Sequence, residues 1–293
     1  MKLSGNHPRT GDTSKAENPS GDHPAPLIFT KMHGLGNDFV VLDHLEQKRT
    51  VTPQQMAWLA DRRYGVGCDQ VVELVAGESR AQARMIIHNA DGSQAEMCGN
   101  AARCVGLYLR RHRGMLDPEL TLETGAGLVK VRCETPELFA VDMGTPKFGG
   151  EKSLTVTWSP HENPVPVPGV VVSMGNPHFV VFRPDVAEVP LERVGAELSE
   201  NAAFPGRTNV EFVQVLDSGR VRMRVWERGA GITPACGTGA CAAAVAAAAR
   251  GATGRRVVVH LDGGDLTIHW QENDRVIMTG PAVEVFQGRA IPP

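Results

Sequence analysis

The chain has 293 residues, 31.5 kDa, 42% hydrophobic and 22% charged residues, which is ample for two globular domains. A net charge of −3 excludes the basic footprint of a nucleic-acid binder, and no apolar run reaches the length of a membrane span. Residues 1–26 are polar, charged and rich in Pro, Ser and Gly, with no apolar core of a signal peptide, so they are expected to be a disordered extension to a cytoplasmic protein. In that compartment the six cysteines stay reduced, and their spacing lacks the short pairs of a zinc site, so no metal is expected.

Ordered structure is expected from Leu27. Ile28–Met32 and Phe39–Leu42 read as strands joined by a turn at Gly34 and Gly36. Thr52, Pro53 and Gln55 make a helix start with reciprocal capping, and that helix is expected to stop at Gly65. Val71–Val75 and Ala83–His88 are strands, Asn89–Gly92 a turn, and Gly99–Arg111 a helix with Val105, Tyr108 and Leu109 on one face. Arg110, Arg111, His112 and Arg113 suit its solvated C-terminal turn. Strands follow at Leu120–Leu122, Leu128–Cys133 and Leu138–Met143. Pro160–Pro168 reads as a loop. Strands are then expected at Val170–Met174, Phe179–Phe182, Val210–Val215 and Val221–Trp226. An Ala-rich helix follows at Gly237–Arg250, then strands at Val257–Leu261, Leu266–Trp270 and Val276–Met278.

That order is the same structure twice. Cys98-Gly99-Asn100 is matched by Cys236-Gly237-Thr238, and Asn37 by Asn176, at separations of 61 and 60 residues. Gln70 and Asn209 each lie 33 residues past their Asn, and Asn89 and Glu227 each lie nine before their Cys. The fold class is therefore α+β, with two pseudo-symmetric domains, each a mostly antiparallel sheet wrapped around a central helix. The expected domains are 27–142 plus 282–293, carrying Cys98, and 143–281, carrying Cys236.

Each of these cysteines stands where a helix begins. Free backbone N–H groups and the helix dipole favour negative charge there, which should pull a thiol toward neutrality and can also hold a substrate carboxylate. Two such groups on opposite faces of one carbon can invert it, one taking the proton and the other returning it. No nucleotide loop or pyridoxal-type signature is evident, so no cofactor is expected. Cys68, Cys104, Cys133 and Cys241 read as core filler. Asn37, Gln70, Asn89, Asn176 and Asn209 can bond an amino acid's ammonium and carboxylate. Arg228 can grip a carboxylate, and His178 and Glu227 can each assist one thiol.

These motifs, from Lys31–Phe39 through Gly67–Gln70, Asn89–Asn100, Met174–His178, Arg207–Val210 and Glu227–Gly239, resemble the diaminopimelate epimerase family over nearly all of Phe29–Gly288. The resemblance implies cofactor-independent conversion of LL- to meso-2,6-diaminopimelate in lysine and peptidoglycan-precursor synthesis, and a homodimer. It implies Cys98 and Cys236 as the acid/base pair, with His178 and Glu227 as assistants. It implies substrate binding by Asn37, Gln70, Asn89, Gly99, Asn100, Asn176, Asn209, Glu227, Arg228, Gly237 and Thr238. Ala101 departs from the family's usual Gly, and the N-terminal extension is atypical. Two other readings stand beside it. A proline or hydroxyproline racemase-type enzyme would read Cys-Gly-His at the first motif, and a redox switch would join Cys98 to Cys236 without turning over an amino acid.

Overall fold

The structure, a computed structural model, describes residues 25–47, 49–78, 80–159, 161 and 163–293. Nearly all of the expected disordered extension lies outside the described residues.

The first half runs β1 (Leu27–Gly34), β2 (Asn37–His44), α1 (Pro53–Ala60), β3 (Gln70–Val75), β4 (Ala83–Asn89), β5 (Gln94–Ala95), α2 (Gly99–Arg113), β6 (Glu119–Thr124), β7 (Gly127–Cys133) and β8 (Leu138–Asp142). The second half opens with β9 (Lys147–Val156). It repeats the order as β10 (Val165–Ser173), β11 (Pro177–Phe182), α3 (Leu191–Ser199), β12 (Asn209–Asp217), β13 (Arg220–Glu227), β14 (Gly231–Ile232), α4 (Gly237–Ala249), β15 (Arg256–Leu261), β16 (Gly264–Trp270) and β17 (Val276–Pro281). β18 (Val283–Ala290) closes the chain.

Most pairings are antiparallel. The parallel ones fall at matching places, β2–β3 and β4–β6 in one half, β11–β12 and β13–β15 in the other. The register repeats as well: Phe39 opposes Gln70 as His178 opposes Asn209. The chain crosses between halves twice. β9 lies beside β10, its neighbour in the chain, whereas β18 returns from the far end of the sequence to lie beside β1. β8 and β17 pair across the junction and join the two sheets.

α1 begins as expected, with Thr52 capping the Gln55 N–H and the Gln55 side chain returning the bond. It stops at Ala60, not Gly65, because the Asp61 carboxylate accepts from the Arg63 and Tyr64 N–H groups and turns the chain. α2 extends two residues beyond expectation, to Arg113, and ends on Gly114 at φ 61°. The loop expected over Pro160–Pro168 is strand from Val165. Up to Gly169 that strand pairs only with β9, so Pro166 and Pro168, two apart, can both turn their nitrogens to the unpaired side. α3, β9 and β18 carried no strong local signal.

Both central helices are buried almost all round, α2 from Gly99 to Leu109 and α4 from Gly237 to Ala247 except Thr238. The Ala run of α4 presents methyl groups in every direction, so strands from β10 to β17 reach it on several sides. Both helices share one core, and their N-terminal ends meet at the junction of the halves.

Candidate active site

Cys98 and Cys236 are the N-caps of α2 and α4, both in extended backbone, at φ −142° and −117°. Neither side chain makes a hydrogen bond that caps its own helix. The two helix starts lie side by side under Met278. A Cβ added to Gly99 would come 2.6 Å from the Met278 methyl, and one added to Gly237 would come 3.0 Å from its sulfur and 3.2 Å from Asn100 Oδ1. Only glycine lets the two helices and Met278 approach this closely.

A short relay supports each sulfur. On the first side, Cys98 donates to Asn37 Oδ1 at 3.9 Å, and Asn100 Nδ2 donates to the same oxygen at 3.1 Å. Asn37 Nδ2 donates to Asp69, which Arg62 also holds. On the second side, Cys236 lies 3.7 Å from Thr238 Oγ1, which accepts from Asn176 Nδ2 at 3.2 Å. Asn176 Oδ1 in turn faces His178 Nε2 at 3.0 Å, and His178 Nδ1 meets Glu211 at 2.7 Å. His178 is fully buried and makes no hydrogen bond to either sulfur among the described residues, so it reaches Cys236 only through Asn176 and Thr238.

Glu227 lies where both sulfurs feel its charge, and Thr233 donates to its carboxyl. Burial pushes that carboxyl up from the usual carboxylate range, against the bonds from Thr233 and Cys236. The expectation of thiols drawn toward neutrality is not met. Burial pushes Cys98 up, although the Ala101 and Asn100 N–H groups pull the other way. Burial, then Glu227 and Glu211, push Cys236 well above an ordinary thiol. The helix starts do supply donors, but desolvation under Met278 outweighs them.

The remaining expected residues form two flanks. Gln70 donates to Asn89 Oδ1 at 2.8 Å, and Asn89 donates to Ser93. Neither bonds a sulfur-side residue. Asn209 spends its amide on the backbone, donating to Pro177 O and accepting from the Arg228 N–H. Arg228 is exposed, with one bond to Gly206 O, so most of its fork is free. Ala101 is fully buried in the core. Sequence reasoning missed Glu211, Arg103 and Met278. A charge inside the apolar run Val210–Val213 was the available signal for Glu211, and Arg103 among the small residues of α2 was the equivalent one.

No group of three or more His, Cys, Asp or Glu among the described residues is arranged to hold a metal ion. No helix there is long and apolar enough to cross a membrane.

The family model described as diaminopimelate epimerase matches residues 29–149 and 170–285, one segment for each half. The chain belongs to the diaminopimelate epimerase family. It is 53% identical over 269 residues to a diaminopimelate epimerase of Magnetococcus marinus, covering 90% of this chain and 96% of that one. It is 48% identical over 280 residues to another from Pelotomaculum thermopropionicum, covering 89% and 98%. Among solved structures, a phenazine biosynthesis protein of the PhzF family from Bacillus anthracis superposes with a TM-score of 0.70 at 17% identity, over 91% of this chain and 99% of that one. A hydroxyproline epimerase from Agrobacterium vitis gives 0.67 at 19%, over 92% and 94%. At that identity these two neighbours share the fold. As a diaminopimelate epimerase family member, the chain has the α+β two-domain architecture, and the match runs through both thiol-bearing helix starts.

Proposed function

We propose that the chain interconverts LL- and meso-2,6-diaminopimelate by a two-base route in which Cys98 and Cys236 exchange one α-proton with opposite faces of one carbon. The observation that carries this reading is the meeting of two helix starts, each with a thiol at its N-cap, beside a single shared carboxyl, Glu227. The substrate α-carboxylate takes the N–H groups of Gly99, Asn100, Gly237 and Thr238, where the helix ends favour negative charge. One sulfur, as thiolate, removes the α-proton. The negative charge that develops spreads into the carboxylate and is held by those same donors. The other sulfur, as thiol, delivers its proton to the far face, and the pair ends with its protonation states exchanged. The reverse reaction uses the same groups with roles swapped.

Glu227 can share a proton with Cys236, and His178 steadies that sulfur through Asn176 and Thr238. We assign Asn37, Gln70, Asn89, Asn176, Asn209 and Glu227 to the substrate's ammonium and carboxylate groups. The free fork of Arg228 suits a carboxylate. We place the domains at 27–142 plus 282–293 and at 143–281, and the enzyme in the cytoplasm as a homodimer. The exposed Val285 and Phe286 on β18, which among the described residues pairs only with β1, support an apolar edge for self-association.

The test is conversion of LL-diaminopimelate in heavy water with no added cofactor. Inversion with deuterium uptake at the α-position is expected, and Cys98→Ser or Cys236→Ser should lower it by at least about 100-fold. Near-normal inversion by either variant refutes the two-base reading. Turnover of proline instead would favour the racemase-type reading, against which Asn100 stands where that enzyme class is expected to carry His.

A further inference from the structure

The two halves match in backbone and in their thiols, but they differ in the charge behind each thiol. Arg103 lies in the second turn of α2 and is fully buried. Five residues past the other thiol, the matching position is Cys241. Glu211 is fully buried beside the start of α4, and its counterpart two residues past Gln70 is Val72.

Arg103 is an unusual cation. Its guanidinium donates to Pro281 O at 3.0 Å, to Asn100 Oδ1 at 2.9 Å and to the Met278 sulfur at 3.6 Å. Nη2 is buried with no partner, and no carboxylate pairs with the group among the described residues. Gly34 and Gly280 leave the space it fills: a Cβ on Gly34 would come 2.8 Å from Nη2. A guanidinium cannot shed its charge by losing a proton, so a buried one needs an anion nearby.

The titratable and charged groups that face the Cys98 sulfur are Arg103 and Cys104 from its own helix and Glu227 from β13. Those that face Cys236 are Glu227 from β13 and Glu211 from β12. Glu227 thus faces both sulfurs, while a cation stands behind Cys98 alone and a second carboxylate, Glu211, behind Cys236 alone.

Resting on the two-thiol reading above, we propose that Arg103 is a positioning residue that makes Cys98 the sulfur that ionises first in the free enzyme. Its charge offsets a Cys98 thiolate, while its bond to Asn100 fixes the amide that faces Asn37. Cys236, backed by carboxylates, keeps its proton. The hydrogen bonds allow this. Asn100 Oδ1 is held toward Arg103, so Asn100 Nδ2 must point at Asn37 Oδ1. When Cys98 loses the proton it shares weakly with Asn37, that oxygen keeps Asn100 Nδ2 as its donor, and ionisation leaves no acceptor stranded. The Asn100 and Ala101 N–H groups then face the thiolate. Burial pushes both sulfurs up, and Glu211 adds a like charge at Cys236 alone.

The experiment is alkylation of the reduced full-length protein by iodoacetamide across a pH series, with each sulfur read by peptide mass spectrometry. The pH midpoint is the readout, because Cys98 is also the more accessible sulfur and rate alone would mislead. Cys98 should titrate below Cys236. In Arg103→Met the Cys98 midpoint should rise by about one pH unit or more, with Cys236 unmoved, and Arg103→Lys should restore it. Equal midpoints in the unaltered protein, or a lower one for Cys236, overturn the assignment even if Arg103→Met does not fold. A folded Arg103→Met with Cys98 unmoved overturns it too. If Cys98→Ser or Cys236→Ser keeps inversion, the two-thiol reading fails. If both are inactive while the midpoints disagree with this order, the Arg103 assignment alone fails.

Discussion

Replacing Glu211 by Gln tests the electrostatics of the second thiol. A Cβ at Gly239 would lie 2.7 Å from Glu211 Oε1 and 3.3 Å from the Cys236 sulfur, so the two atoms are within about 6 Å of one another. At an effective dielectric of about 20, unit charges at that distance repel by about 3 kcal/mol, equivalent to about two pH units on the thiol. His178 sits 2.7 Å from the same carboxylate and offsets part of its field, so a fall of about one unit in the Cys236 midpoint is expected. The direction follows from removing a like charge, which makes the thiolate easier to form. The Gln amide keeps the side chain's shape, so Cys98, which Glu211 does not flank, should be unmoved. Peptide-resolved alkylation against pH reads both sulfurs in one sample. A Cys236 midpoint that stays put or rises would refute the electrostatic account of this half-site.

Other outcomes follow from the same geometry. Burial would raise Glu73, but the bond from His44 and the His88 imidazole 3.6 Å away overcome it and hold the carboxyl at about 2. Its folded value is depressed, so its contribution is complete above pH 4.5 and is lost as pH falls through about 2. Glu73→Gln should therefore cost up to about 3 kcal/mol in urea unfolding near pH 5, with the gap from the parent closing as the medium is acidified. A gap independent of pH would show that packing, not charge, was lost. Gly99→Ala places a methyl 2.6 Å from the Met278 Cε and 2.8 Å from the Met143 sulfur. Overpacking should cost about 1–3 kcal/mol against a helix gain of at most about 1. Epimerase activity should fall with it, and Met278→Ala in the same chain should recover part of both. Failure of that rescue in thermal unfolding and turnover would mean that Met278 is not the obstacle.

The site was legible to the extent that it repeats. Equal offsets put Gln70 and Asn209 at equivalent places in parallel pairs, and strand geometry carries that equality into space. The helix starts at Cys98 and Cys236 were legible because Gly and small residues follow an extended residue there. His178 was read as an assistant to one thiol, and the folded chain sets it two side chains from Cys236, because β11 turns it inward onto Glu211 on β12. α3 was missed because its short run has no capping side chain at Pro190. β9 and β18 were missed because mostly exposed strands give no alternating apolar pattern.

From the sequence alone come the doubled order of strands and helices, the two thiols and their place at helix starts, since capping, alternation and spacing act over a few residues. The return of β18 to the first half, the burial of Arg103 and Glu211 behind opposite sulfurs, and the upward push on both thiols belong to the folded protein. Desolvation and charge depend on every neighbour within several ångströms, and those neighbours come from segments far apart in the chain.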